Sequence, residues 1–153
     1  MGITLRLDPL SRTAFQATVH CFTGCAIGEV TGMAIGTSLA WGNGSTIALS
    51  IVLAFVFGYA LTMRGLLAGG MGLRQALRIA LAADTVSVAT MEIVDNLLML
   101  VIPGAIDATL SQPLFWGSLA LSLAVAFVAA FPVNRWMIGR GRGHAVAHAH
   151  HAH

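Results

Sequence analysis

Charge is scarce in this chain. Only 9% of its 153 residues are charged, lysine is absent and tyrosine occurs once, against 57% hydrophobic residues. With a mean hydropathy of +0.82, that balance excludes a disordered polypeptide and is too apolar for an ordinary soluble domain. No glycine-rich nucleotide loop opens a helix after a strand, and no aromatic-basic patch favours RNA or DNA, so no nucleic-acid partner is expected. A Ser-His-Asp order, a zinc-protease motif and a cofactor fingerprint are likewise missing, so an enzyme is not the leading expectation.

What is present is oil. A transmembrane helix takes roughly 20 apolar residues, and four segments meet that length: about 14–40, 46–63, 76–102 and 114–133. The pattern predicts an all-α, multi-pass, four-transmembrane-helix bundle over residues 1–143, with a separate tail over 144–153. The first apolar stretch carries His20 and Glu29 and is too long for a cleavable signal.

The basic residues set the orientation. Arg6 and Arg12 precede the first span, Arg64, Arg74 and Arg78 separate the second from the third, and Arg135, Arg140 and Arg142 follow the fourth. The other two connections, 41–45 and 103–113, carry none. The positive-inside rule then puts both termini and the middle loop in the cytoplasm. The +2 net charge reflects these arginines and suits anionic inner-leaflet lipid better than nucleic acid.

A weak repeat divides the spans. Ala48-Leu49-Ser50 with Ala54-Phe55-Val56 recurs as Ala120-Leu121-Ser122 with Ala126-Phe127-Val128. Two parallel hairpins are expected, each with one polar helix and one packing helix. Chance matching in a small apolar alphabet is the rival explanation.

The chemistry lies in the polar helices. His20, Cys21, Cys25 and Glu29 sit in the first span, and Asp84, Met91, Glu92 and Asp95 in the third. At about 100° and 1.5 Å per residue, Cys21 and Cys25 share a face at the level of Asp84 and Val88, while Glu29 falls near Met91 and Glu92. No arginine lies at that depth, so the acids must be protonated, hydrogen-bonded, or balanced by a cation. Thiolate, imidazole and thioether favour copper or zinc. His20, Cys21, Cys25, Glu29, Asp84, Met91, Glu92 and Asp95 are therefore the expected ligands of a transition-metal cofactor or cargo.

Each feature also has a plainer use. Cysteine is often a small buried hydrophobe, and His20 could sit at the lipid headgroups. A Cys21–Cys25 disulfide is disfavoured, because one helical turn holds their Cβ atoms roughly 6 Å apart where a disulfide needs about 3.8 Å. Gly24, Gly28, Gly32 and Gly36 form a small-xxx-small series for close packing. That packing could bring in the third helix or a second copy of the chain, which leaves a homo-oligomer open. The C-terminal His144, His148, His150, His151 and His153 make a metal-collecting tail.

The run His20-Cys21-x-x-Gly24-Cys25-x-x-Gly28-Glu29, with Met91-Glu92 later, resembles a bacterial membrane family known as a domain of unknown function, numbered 4396. The resemblance spans Arg12 to Trp136 and implies a four-span fold and a membrane location, without a reaction. Metal binding or transport is the leading expectation. A non-catalytic assembly subunit and a thiol-redox or proton-transfer protein are the alternatives.

Overall fold

In the computed structural model, residues 8–140 are described, and among them four helices and no strands occur: α1 (Pro9–Ser38), α2 (Asn43–Ala68), α3 (Leu73–Val101) and α4 (Pro113–Gly139). Arg6, Arg142 and the expected histidine tail from His144 to His153 lie outside those residues.

Local chemistry sets the helix ends. Asp8 caps α1, accepting from the Ser11 amide at 3.3 Å and its hydroxyl at 2.5 Å, with Pro9 preset in the first turn. The end of α2 closes with Met71 N–H on the Leu66 carbonyl and Gly70 N–H on Leu67, and Gly70 takes the required φ of +89°. The same closure ends α1, from Trp41 to Gly36 and Ala40 to Thr37, but here Ala40 holds the left-handed residue's place at φ +54°. Pro103 stops α3 by forcing Ile102 into extended backbone.

All four helices are longer than the expected spans, and mostly at the arginine-bearing end. α1 starts five residues earlier and α4 runs six further, through Pro132. The apolar pattern stops at the first polar residues, whereas the backbone ladder does not need apolar side chains to continue. Two helices, α2 and α4, are long and apolar enough to cross a membrane. α1 and α3 have the length, at 30 and 29 residues, but carry the polar groups.

Each consecutive pair packs together, α1 closes the ring on α4, and α1 also touches α3 across the centre. The α1–α2 contact is the closest. A Cβ on Gly24 would stand 2.8 Å from the Gly58 Cα, one on Gly28 2.5 Å from the Ala54 Cα, and one on Gly32 2.6 Å from the Ser50 Cα. Gly36 meets the side chain of Thr46 rather than its backbone. The glycine series therefore serves α2, not α3 or a second copy of the chain. Small residues at 46, 50, 54 and 58 answer it at the same four-residue spacing, letting the two backbones approach.

Hairpins α1–α2 and α3–α4 are present as the repeat suggests. Residues 72 positions apart share their burial: Ser50 with Ser122, Ala54 with Ala126, Gly58 with Ala130, and Thr62 with Asn134 are all buried. Phe55 and Phe127 are half-buried and Val56 and Val128 exposed. α2 and α4 thus present equivalent four-residue stripes to the polar pair.

The largest apolar cluster joins Cys21, Cys25, Val88 and Met91 to Phe115, Leu119 and Ala126. Ala108, Leu110 and Met33 extend it toward the end without arginines, where the 102–112 segment folds inward. Asn43 donates to Asp107 at 2.6 Å and the Trp116 indole to the Leu110 carbonyl at 2.8 Å, fastening that segment to α2 and α4.

Candidate functional site

The register of α1 against α3 builds the site. The helices run the same way, so residues spaced by a turn on one meet residues spaced by a turn on the other. Cys21 faces Asp84 and Ser87, Cys25 faces Glu92, and Glu29 lies against both Glu92 and Asp95. This is the expected layering, shifted by about a turn at Glu29, which reaches Asp95 as well as Glu92. On one flank Gly58 of α2 separates Gly24 from Val88, its lack of a side chain leaving room for the diagonal contact.

Most of the expected ligands converge. Cys25 and Met91 are fully buried, Cys21, Asp84 and Asp95 are 1% exposed, and Glu92 is buried beside them. Glu29 enters from the edge, half-buried, with its Oε1 out of contact with solvent. His20 does not join them. The 100° step that turns Cys21 inward puts His20 on the exposed face, so sequence adjacency to a buried thiol is not spatial adjacency. Both cysteines are free thiols.

The cluster is short of donors. Asn96 donates to the Glu92 Oε2 at 3.3 Å and to its carbonyl at 2.9 Å, and the Cys25 thiol can donate to Glu92. The Glu92 Oε1, the Glu29 Oε1 and both Asp95 carboxyl oxygens are buried with no donor. Two carboxyl groups can hydrogen-bond to each other only if one holds a proton. The contacts of Glu29 with Glu92 and Asp95 therefore call for a shared proton or a cation between the oxygens. Every arginine among the described residues is on the exposed surface, so none supplies the charge.

Among the described residues, no three of His, Cys, Asp and Glu already stand as a metal-binding group. The donors lie in successive turns, and a metal would have to draw Cys25, Glu29, Glu92 and Asp95 together.

Among the buried polar groups that the sequence patterns left out are Thr18, Thr62, Ser87 and Asn134. Asn134 of α4 donates to the Thr18 hydroxyl at 2.9 Å, leaving its own Oδ1 without a partner, and the Thr62 hydroxyl is also unpartnered. The available signal was the four-residue burial stripe shared by α2 and α4, which carries Thr62 and Asn134 inward.

A family model described as "Domain of unknown function (DUF4396)" matches residues 11–143. No curated protein and no solved structure matches the chain.

Proposed function

The chain belongs to the DUF4396 family, and from the geometry of its interior we propose that it is a four-span helical protein of the bacterial plasma membrane that binds a soft transition-metal ion, copper(I) or zinc, between α1 and α3. Cys25, Glu29, Glu92 and Asp95 are its ligands, with Cys21 and Asp84 one turn away. The observation that carries this reading is the pair of unpartnered Asp95 oxygens, buried against a second carboxyl with no cation from the protein nearby. A buried carboxylate without compensation costs several kcal/mol. A bound metal supplies the missing charge, and the adjacent thiol selects a soft one.

The membrane placement rests on several supports. α2 and α4 have the length and apolarity to span. Large apolar side chains such as Val52, Val56, Leu121 and Val128 face outward. The exposed Trp41 and Trp116 stand near one end of the bundle and Trp136 near the other, where aromatic belts sit at bilayer interfaces. α1 and α3 complete the four spans with their acids turned inward, the side on which intramembrane charge is tolerated. Both termini then share the cytoplasmic face with the arginines. Movement of the ion across or out of the membrane is the activity such a site serves.

A proton-transfer reading has its own support, the direct contacts of Glu29 with two other carboxyl groups. One titration separates the two. Purified protein in detergent is titrated with Zn²⁺ and with Cu⁺, alongside Cys25→Ser and Asp95→Asn. Stoichiometric binding by the wild type that is lost in both variants supports the metal site. Wild-type binding no stronger than that of the variants overturns it and favours the proton carrier.

A further inference from the structure

The polar residues do not end at the metal layer. Below Cys25 toward the arginine-bearing end, one further turn of α1 brings Cys21 opposite Asp84 and Ser87, and the next brings Thr18, bonded to Asn134 at 2.9 Å. Thr18, Cys21, Cys25 and Glu29 are thus a file at three- and four-residue spacing, matched on α3 by Asp84, Ser87, Glu92 and Asp95. Thr18, Ser87 and Asn134 are fully buried; the Asn134 Oδ1 has no partner, and the Ser87 hydroxyl meets only the Cys21 thiol. An amide oxygen left idle in an apolar interior is costly. It and the Ser87 hydroxyl are neutral oxygen donors that a passing cation or its water can use.

The two ends of this file differ. Beyond Asp95, the far end is closed by one continuous apolar cluster with Met33, Ala108, Leu110 and Phe115, and the 102–112 segment is fastened over it. At the arginine end the apolar packing divides. Ala14, Ala17 and Ile138 form one small cluster between α1 and α4, and Leu66, Ala76 and Ile79 another between α2 and α3. Ser11, Thr18, Thr62 and Asn134 are the buried polar residues of α1, α2 and α4 near this end. Parting two small clusters disturbs less packing than lifting a pinned loop out of a continuous core.

We propose that Asn134, Thr18, Ser87 and Cys21 form a second binding station, through which the metal ion reaches the Cys25–Asp95 site from the arginine-bearing face alone. This rests on the metal-binding reading above. Asn134 and Ser87 act as transit ligands, each giving one oxygen to an ion that has shed part of its water. The final site keeps the ion because it adds carboxylates and a second thiol.

The test uses full-length protein in sealed vesicles, its orientation assigned by trypsin cleavage of the 64–78 region, with Zn²⁺ added to one face at a time. Equilibrium Zn²⁺ stoichiometry in detergent is measured in parallel. Loading from the arginine face should exceed loading from the other face by about tenfold or more. Asn134→Leu, which keeps the volume but removes the oxygen, should slow it by a similar factor, about tenfold for a lost polar partner. Its detergent stoichiometry is read alongside, so that slowed loading is told apart from loss of the Cys25–Asp95 site. Ser118→Ala, at the opposite end of α4, should load at the wild-type rate. Equal loading from both faces overturns the one-sided path, as does Asn134→Leu loading at the wild-type rate. If Asn134→Leu fails to bind in detergent, the wild-type difference between faces decides alone. If the wild type binds no Zn²⁺ in detergent, the metal reading itself falls and the station falls with it.

Discussion

Asp95 shows how one residue can oppose the fold it sits in. Its carboxyl is buried against Glu29, and neither oxygen has a donor. Asp95→Asn removes the charge and adds two N–H donors for the oxygens of Glu29. The variant should melt at or above the wild-type temperature in detergent while losing Zn²⁺ affinity by about tenfold or more, since a ligand is gone. A fall in both melting temperature and affinity would mark Asp95 as a packing residue instead. His20 gives the opposite case: it is exposed, so His20→Ala should leave Zn²⁺ stoichiometry and affinity unchanged, and a titration checks it directly. At the start of α1, hydrogen bonding from Ser11 holds the Asp8 carboxyl below its ordinary value of 3.8, with Arg135, 3.7 Å away, adding to the effect. A depressed carboxyl contributes stability that is present above its unfolded value and lost as pH falls through the folded one. The α1–α4 terminal contact should therefore loosen only in acid, below about pH 4. The group is at the surface and solvent screens it, so the loss should be small. In Asp8→Asn, the acid-dependent part of the melting temperature should disappear.

At the scale of elements, the α1–α2 pair depends on missing side chains. A Cβ at Gly28 would fall inside the Ala54 backbone, which cannot move as a side chain can. Gly28→Val should separate the helices and abolish the cooperative melt. Gly44, with open space around it, should accept alanine with a gain of up to about 1 kcal/mol in helix propensity. Ala40 presents the reverse situation, a residue with a Cβ held at φ +54° in a helix-ending turn where glycine is favoured. Ala40→Gly should stabilise the chain by roughly 1 kcal/mol, read as a rise in melting temperature. The repeat between α2 and α4 also belongs to this scale. Its six matched letters were visible, but their meaning, one inward stripe at 50, 54, 58 and 62 repeated at 122, 126, 130 and 134, depended on knowing which face is covered.

The whole molecule is two hairpins around a diagonal polar seam, wrapped in apolar side chains. On the four-span reading proposed above this surface would face lipid, so the chain should stay with the membrane fraction through a carbonate wash at high pH. Recovery in the supernatant would sink the four-span reading. The two ends of the seam also differ in structure. One end is pinned by Asn43–Asp107 and the Trp116 indole. At the other end, two small apolar clusters flank Thr18 and Asn134.

The four helices and the polar character of α1 and α3 are legible in the residues alone, because helix formation and burial follow from local periodicity and composition. The sequence also determined that Cys21, Cys25, Asp84 and Asp95 could share a seam, since a fixed rise and turn per residue set their heights. Tertiary packing decided what lies beside what. The glycine series could have met α3 or a second copy of the chain, and only the α2 residues Thr46, Ser50, Ala54 and Gly58 fit closely enough to claim it. His20 adjoins a buried thiol in the chain, but the rotation of α1 against the bundle turns it outward. Asn134 and Ser87 were two polar letters among many until opposing helices shut them from water. Their significance arises from contacts between residues distant in the chain, which no local pattern encodes.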